Sequence, residues 1–377
     1  PDVSFYDKNE IWNLVRTNLK AFSEHYTSKL FGKDKDSCDY ESRNIASRIY
    51  DLLKIRPVKN TYLWTVLGRE KDIKVNKGDG EVGTRSILCC EYPPTILLMW
   101  FSQKMALYIN NSTNNNKKYN IIGEHTGYKS NKLKEKDKYY DYKLEADWEF
   151  YDSNIDTNFL ILAGLILTCF LPDDRLHKNI SYYIIKSIVT KYVVLPPGCV
   201  VELNRANASG HPFTTLINCN VNLIYWSLIG YKIYGNNYAD FMDVEVYGDD
   251  TIAHFKSHPN LFKIDEYIKE CGLKSESLLD NFRPCNFEID IHNDIDFLKR
   301  RNDEFNMVWN HKKMFDRLFY QSKNRDINDQ IQLLCSYHEA CKLDKDLIEY
   351  IKIIFNDIIV NKEFPITSES DHLINKF

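Results

Sequence analysis

Apolar residues recur along this chain with two different periods, and the change from one to the other marks out its elements. Ile11, Trp12, Val15, Leu19 and Phe22 stand at helical spacing and stop near Gly32, and Ile45, Ile49, Leu52 and Leu53 repeat that spacing before Pro57. Both stretches predict packing helices without chemistry of their own. Two β-branched and aromatic runs, Thr61 to Leu67 and Thr84 to Cys90, predict strands joined through a charged tip from Arg69 to Gly83. Pro93 and Pro94 suit the first turn of a helix that continues through Leu97, Leu98, Phe101 and Met105. The uncharged run Phe159 to Leu171 is too short to span a bilayer and predicts a buried helix. Beyond the break at Pro196-Pro197-Gly198 another long helix opens near Thr214. Ile264 to Cys271 reads as helix and Asp296 to Arg300 as the end of a short strand. From Asn310 onward the pattern is helical, with Ile331, Leu334, Cys335 and His338, then Leu347, Ile351, Ile354 and Ile358 at helical intervals.

One strand pattern turns on a polar corner. Alternating apolar residues approach and leave Gly248-Asp249-Asp250 in the stretch Val244 to Ile252, which predicts strand, tight turn, strand, with Gly248 supplying the backbone freedom of the reversal. Two adjacent carboxylates in one small volume are unfavourable unless neutralised, and the usual neutraliser of oxygen-only ligands is a hard divalent cation such as Mg2+. Gly-Asp-Asp is equally good chemistry for a solvated turn, so the corner alone leaves both readings open.

Composition narrows the class without naming it. The chain has 377 residues, 44% hydrophobic and 14% aromatic, enough for a substantial core and two or three subdomains. A formal net charge of -4 gives no whole-chain bias toward nucleic acid, so a nucleic-acid enzyme of this composition has to line a channel with local positive charge. The 10 cysteines include no Cys-x-x-Cys pair, and free thiols in a reducing compartment are the simpler reading. The asparagine- and lysine-rich stretch from Asn110 to Lys138 has no regular apolar period and suggests a mobile surface insertion. The chain opens on Pro1, as a trimmed fragment, an excised domain or a polyprotein product would.

Other candidates for chemistry are weak singly. Lys71, Lys74, Lys77 and Arg85 lie in or beside the first hairpin, where charge is ordinarily just solvated. Asp147 and Asp152 flank a turn before a helix, where an aspartate often only caps. Ser209 and Gly210 make a flexible entry to the helix that carries Thr214 and Asn218, four apart on one face, with Asn222 one turn further. Polar residues stacked among Leu216, Ile217 and Val221 are costly in a core unless they meet partners. His211 is read as a loop residue without a role.

Five pieces follow in order: a basic hairpin ending Thr84-Arg85-Ser86-Ile87, Asp147 with Asp152, Ser209-Gly210 with Thr214 and Asn218, Tyr247-Gly248-Asp249-Asp250, and Phe297-Leu298-Lys299-Arg300. In that order they resemble motifs F, A, B, C and E of the RNA-dependent RNA polymerases of picornavirus-like positive-strand RNA viruses, over about residues 60 to 300. The Ser-Gly-x-Pro-x-Thr form is similar to calicivirus and insect picorna-like enzymes. The resemblance implies an α+β right-hand polymerase: fingers over 1–140 with the insertion at 110–138, a palm with an antiparallel sheet and an interleaved fingers segment over 141–300, and a helical thumb over 301–377. It implies template-directed RNA synthesis from ribonucleoside triphosphates by phosphoryl transfer, with Asp147 and Asp249 holding two Mg2+ ions, Mn2+ being a possible substitute, and Asp250 assisting. Tyr247 and Gly248 would shape the turn at the primer end. Asp152 and Asn218 would read the ribose 2'-hydroxyl, positioned by Ser209 and Thr214, while Gly210 lets the loop move with the template. Arg85, supported by Lys71, Lys74 or Lys77, would neutralise the triphosphate, and Lys299 and Arg300 would grip the primer backbone.

The implied partners are an RNA template and primer, ribonucleoside triphosphates, a viral protein primer and other viral replication proteins, in membrane-associated replication complexes of the host cytoplasm. The chain departs from the family's pattern in three places. Asp280 stands where the family carries the lysine of motif D, leaving Lys274 or Arg283 as substitutes, no motif G is found, and the region before motif F is shorter than in typical relatives, which implies reduced fingertips and template entry. Two rival readings are a reverse transcriptase, which shares the Tyr-x-Asp-Asp turn but carries a bulky residue near the sugar, and an inactive polymerase-like scaffold that binds RNA. The sugar-side Asp152 speaks against the first and the three carboxylates Asp147, Asp249 and Asp250 against the second.

Overall fold

A computed structural model of the chain describes residues 3–15, 35–59, 61–70, 84–111, 136–146, 148–149, 151–195, 198–275, 278–279, 281–285, 300–302, 307–309, 327–340 and 345–361. After a helical turn at Glu10–Asn13 come α1 (Lys35–Ile55), β1 (Leu63–Glu70), β2 (Thr84–Cys90), α2 (Tyr92–Asn111) and β3 (Tyr142–Ala146). A helical turn at Tyr151–Asn154 leads to α3 (Thr157–Thr168), α4 (Arg175–Val189), β4 (Lys191–Val194), β5 (Val200–Leu203) and the long α5 (Thr214–Tyr234). The chain continues through a turn at Tyr238–Phe241 to β6 (Met242–Tyr247), β7 (Asp250–Phe255), α6 (Leu261–Glu270), β8 (Phe282–Pro284), β9 (Arg300–Asn302), β10 (Met307–Trp309), α7 (Ile327–Ala340) and α8 (Lys345–Asn361). Most of the helix expected over Ile11 to Phe22, the greater part of the Asn110 to Lys138 insertion, and Phe297 to Lys299 lie outside the described residues. Of the strand end expected over Asp296 to Arg300, only Arg300 is described, and it lies in a strand.

The chain divides into two compact units, Pro1–Gly123 with Ala146–Ala253 and Pro259–Asp280, and Glu124–Glu145 with His254–His258 and Asn281–Phe377. The first holds a four-stranded sheet in the order β2-β1-β4-β5. β1 runs antiparallel to β2, with Trp64 opposite Cys90 and Arg69 opposite Arg85, and parallel to β4, which antiparallel β5 then extends. A parallel pair needs a long crossover, and here the chain between β1 and β4 includes α2, α3 and α4. Trp64, Cys90, Val193 and Ala208 form a buried cluster on this sheet, so the segment entering α5 packs on it through Ala208.

Helix starts follow side-chain chemistry. Asp156 accepts from the Asn158 amide at 2.9 Å ahead of α3, and Asn260 from the Lys263 amide at 3.1 Å ahead of α6. Asp174 caps α4 by accepting from the His177 amide at 2.9 Å and also takes the Tyr6 hydroxyl at 2.6 Å. The Phe5 amide donates to His177 Nε2 at 3.0 Å, so the ring proton sits on Nδ1, 2.8 Å from Asp174. The helix over Phe159 to Leu171 forms but is not buried all round. Leu160, Ala163 and Leu167 are covered, whereas Ile161, Leu162, Leu165 and Ile166 are exposed. Uniform hydrophobicity hid the facing, because a run without polar residues has no period from which to read a buried side. The α4, β4 and β5 elements had no place in the sequence reading at all.

In the second unit β3 pairs antiparallel with β8, β9 with β10, and α7 packs on α8. Asp137 accepts from Lys143 Nζ at 3.0 Å and from His254 Nε2 at 3.2 Å, a largely buried cluster. Burial alone would raise the Asp137 pKa, but the His254 hydrogen bond and the Lys143 charge outweigh it and draw it below the usual value.

Asp174→Ala is expected to cost about 1–2 kcal/mol in chemical denaturation, through loss of a capped helix start. Burial raises the Asp174 pKa, but hydrogen bonds from Tyr6 and from the backbone and ring of His177 hold it at about 2. A carboxylate depressed by folding stabilises fully above its ordinary pKa of 3.8 and loses that contribution as pH falls toward 2. The wild-type and Asp174→Ala unfolding midpoints should therefore converge in acid; a constant gap from pH 7 to pH 2 would contradict the assignment.

Candidate active site

Helix α5 carries the site because nearly every turn of it is buried, and its polar residues must find partners there. Asn222 is fully buried and finds four. Its Nδ2 donates to the carbonyls of Gly248 and Asp249, each at 3.1 Å, and its Oδ1 accepts from Trp148 Nε1 at 3.2 Å and Thr251 Oγ1 at 3.0 Å. Two donors and two lone pairs exhaust a carboxamide. One side chain thus ties α5 to the β6–β7 corner on one side and to the segment after β3 on the other.

That corner is a two-residue hairpin loop. Gly248 has φ +67° and fills the first central position, where a glycine suits a tight reversal between twisted strands. Its amide donates to Cys219 Sγ at 3.0 Å. Burial pushes the Cys219 thiol up to about 12, so it stays neutral despite the Gly248 amide, which works the other way. Asp249 and Asp250 are half-buried and Tyr247 is 40% exposed, leaving the carboxylates at an accessible tip.

One turn earlier on α5, Asn218 Nδ2 donates to Asp152 Oδ1 at 2.7 Å. Asn218 Oδ1 accepts from Asn207 Nδ2 at 2.7 Å, and the same Nδ2 donates to the Thr214 carbonyl at 3.2 Å. The Asn207 amide also donates to the Asp152 carbonyl at 2.7 Å. Tyr151 lies beneath, its hydroxyl donating to the Asn218 carbonyl at 3.0 Å. Burial, with Tyr225, Cys219 and Asp249 nearby, raises the Tyr151 pKa well above the ordinary phenol value, so it remains a donor.

The loop from Ala206 to Phe213 is fastened at several points. Ala206 adopts φ +66°, a left-handed conformation that costs a residue with a Cβ. Its amide bonds the Ile155 carbonyl at 3.1 Å, and its carbonyl takes Lys191 Nζ at 2.8 Å. Lys191 is fully buried and also donates to the carbonyls of Ile188 and Val189 at the end of α4; burial lowers its pKa to about 7. The Gly210 amide bonds the Leu88 carbonyl at 3.1 Å, and an added Cβ would lie 2.4 Å from that oxygen, so only glycine seats the loop on β2. Ser209 is half-buried beside it, and Thr214 Oγ1 lies 2.6 Å from the Ala208 carbonyl and 2.7 Å from that of His211.

His211 is a buried anchor, against the sequence expectation of a loop residue without a role. It accepts the Phe213 amide on Nδ1 at 3.0 Å, meets Ser187 Oγ through Nε2 at 3.0 Å and stacks on Trp64 at 5.8 Å. Burial and the Lys191 charge hold it neutral, with a pKa of about 3. A histidine that serves as acceptor inside a core has no signature in a single sequence.

Of the residues expected to form the site, Asp152, Ser209, Gly210, Thr214, Asn218, Tyr247, Gly248, Asp249 and Asp250 are described, all in the first unit. Arg85 is placed by its backbone in β2 and Arg300 in β9. Asp147, Lys71, Lys74, Lys77 and Lys299 lie outside the described residues. The sequence reading missed Asn207 as a partner of Asn218, and it noted Asn222 without giving it a role.

A family model for viral RNA-dependent RNA polymerase matches residues 53–352. The chain belongs to that family. As a member it is a viral RNA-directed RNA polymerase, and its fold agrees. A solved Sicinivirus 3Dpol RNA dependent RNA polymerase superposes with TM-score 0.64 at 15% identity, over 93% of this chain and 74% of that one, which makes this a right-hand polymerase fold of mixed α and β structure. Among curated proteins, the Non-structural polyprotein 1AB of Human astrovirus-4 is 29% identical over 123 residues, and that of Human astrovirus-5 27% identical over 141. Those matches take in 31% and 35% of the polymerase and only 9% and 10% of the polyproteins. No described helix is long and apolar enough to cross a membrane.

Members of the family generally work with divalent metal ions, and the described donors fit one in kind. Asp249 and Asp250 are consecutive, accessible carboxylates, the oxygen-only ligands a hard cation takes. Among the described residues no group of three or more His, Cys, Asp or Glu could hold a metal, and Asp147 is not one of those residues.

Asn222→Leu is nearly isosteric but leaves the Trp148 and Thr251 donors and the Gly248 and Asp249 carbonyls unpaired. It is expected to destabilise the polymerase by roughly 2–4 kcal/mol, read as a shift in the urea midpoint. A midpoint within error of wild type would show that the four bonds do not hold the corner.

Proposed function

We propose that this polymerase extends an RNA primer on an RNA template, joining ribonucleoside triphosphates by in-line phosphoryl transfer at the Gly248–Asp250 corner. The observation that carries the proposal is the pair of anchors one turn apart on α5: Asn218 bonds Asp152, and Asn222 bonds the Gly248 and Asp249 carbonyls. A sugar reader and a carboxylate-bearing turn thereby share one rigid support. Asp147, Asp249 and Asp250 would hold a pair of Mg2+ ions, with Mn2+ as a substitute. Trp148, the residue next to Asp147, bonds the same Asn222 that bonds the corner, which supports bringing the third carboxylate to it. When bound, the ions supply activation of the primer hydroxyl and neutralisation of the triphosphate.

The protein's own part is orientation. Asp152 and Asn218 present an acceptor and a donor side by side, which a ribose 2'-hydroxyl can engage at once, while a deoxyribose forgoes that hydrogen bonding. Ser209 and Thr214 position the pair, and Gly210 allows the loop to follow the template. Arg85, with Lys71, Lys74 or Lys77, receives the triphosphate, and Tyr247, Lys299 and Arg300 receive the primer strand. Asp280 stands in place of the usual motif D lysine, leaving Lys274 or Arg283 as its substitute toward the pyrophosphate. Fingers over 1–140, palm over 141–300 and thumb over 301–377 complete the assignment. The Ser209-Gly210-His211-Pro212-Phe213-Thr214 segment supports a calicivirus or insect picorna-like affiliation. The working context is a membrane-associated replication complex in the host cytoplasm, with other viral replication proteins and a protein primer.

Primer extension with Mg2+ should fall by roughly a hundred- to a thousandfold, on the order expected when a transition-state charge loses its partner, in Asp249→Asn and in Asp147→Asn, with unchanged thermal unfolding. Full extension by both variants would remove the two-ion assignment. Separately, Asp152→Asn and Asn218→Asp should lower the ratio of kcat/KM for a ribonucleotide over its 2'-deoxy analogue. An unaltered ratio in both would dismiss the sugar-reading pair.

A further inference from the structure

We propose that Asn207 is a positioning residue for ribose discrimination, acting through Asn218; the inference rests on the sugar-reading role of Asp152 and Asn218. The argument begins with polarity. An ionised carboxylate only accepts, so Asp152 Oδ1 at 2.7 Å requires Asn218 to offer Nδ2. Asn218 Oδ1 must then face the other way, where the group at 2.7 Å is Asn207 Nδ2. Both hydrogens of that Nδ2 are used, one on Asn218 Oδ1 and one on the Thr214 carbonyl. Donation therefore runs in one direction, from Asn207 to Asn218 to Asp152.

Two more observations show that the position serves the donor end of the amide. Asn207 is 4% exposed, and its Oδ1 is buried without a hydrogen-bond partner. A buried orphan acceptor is unfavourable, so a carboxamide held this way is kept for its N–H groups. Asn207 also touches both members of the pair, since its own amide donates to the Asp152 carbonyl at 2.7 Å. It reaches them because Ala206, just before it, is turned into the left-handed region and fixed there by Ile155 and Lys191.

The consequence is specific to the sugar. Asn218 has two amide hydrogens, of which the bond to Asp152 uses one, and the other is directed by the plane of the amide. Without a donor at Asn207 that plane rotates or flips, and Asn218 no longer offers N–H to the 2'-hydroxyl while holding Asp152. Binding of a 2'-deoxynucleotide does not use this contact and is spared.

The test is steady-state incorporation of a ribonucleotide and its 2'-deoxy analogue by the full chain on a primed RNA template. The variants are Asn207→Asp, Asn207→Ser, Asp152→Asn, Asn218→Asp and the double variant Asn207→Asp with Asn218→Asp. Asn207→Asp keeps the shape and removes the donor, and it should lower ribonucleotide preference about five- to tenfold, the scale of one lost hydrogen bond. The loss should appear in the ribonucleotide KM, with the deoxynucleotide constants unchanged and no further loss in the double variant. Asn207→Ser keeps one shorter donor, should fall between wild type and Asn207→Asp, and carries the test if Asn207→Asp does not fold. Equal loss for both nucleotides, or additive loss in the double variant, would overturn the proposal by making Asn207 a packing residue. If Asp152→Asn and Asn218→Asp leave discrimination intact, the sugar-reading pair itself fails; if they reduce it and the Asn207 variants do not, only the present inference fails.

Discussion

The whole site depends on one saturated carboxamide. Asn222 offers two donors and two acceptor sites, and the interior of the first unit uses all four. Hydrogen bonds of this kind are modest singly in net free energy, but each would be costly to leave unmade in a buried setting. The four partners lie on two separate pieces of chain: the stretch after β3, and the hairpin corner with the start of β7. Cys219 contributes one turn earlier by taking the Gly248 amide, so two buried positions of the helix hold the turn.

A second layer of restraint acts on the loop that enters α5. Lys191, His211 and Gly210 fasten it to the end of α4, to Ser187 and Trp64, and to β2. These are restraints of different kinds: a buried ammonium on three carbonyls, a neutral imidazole in a stack, and a backbone approach too close for any Cβ. Their common effect is to hold Asn207 and Thr214 against Asn218. The left-handed Ala206 is tolerated because its amide and carbonyl are both claimed by neighbours.

What could be read in the chain beforehand follows a physical divide. The hairpin at Gly248 was legible because alternation and turn chemistry are local, and the polar positions of α5 stood out because they interrupt an apolar face. The order of five short pieces was enough for the family. Features that depend on distant contacts left no local trace. Asn207 lies in a loop where asparagine is ordinary, His211 looks like any exposed histidine, and Lys191 begins a strand with nothing to announce that its ammonium is buried. The facing of α3 was lost for another reason, since Ile161, Leu162, Leu165 and Ile166 are as apolar as the residues they do not pack with. Strands β4 and β5 are four residues each, too short for alternation to establish a period.

The seat of Gly210 on the Leu88 carbonyl joins two tasks that are usually pictured as separate. Leu88 stands three residues along β2 from Arg85, so a rigid strand runs from the segment proposed to receive phosphates to the loop that positions the sugar contacts. Tension or slack introduced at one end of that strand is delivered to the other. An evolving variant that loosens its hold on one part of a nucleotide therefore inherits an altered judgement of the other part, and compensation for it is to be sought along β2 and not within either pocket.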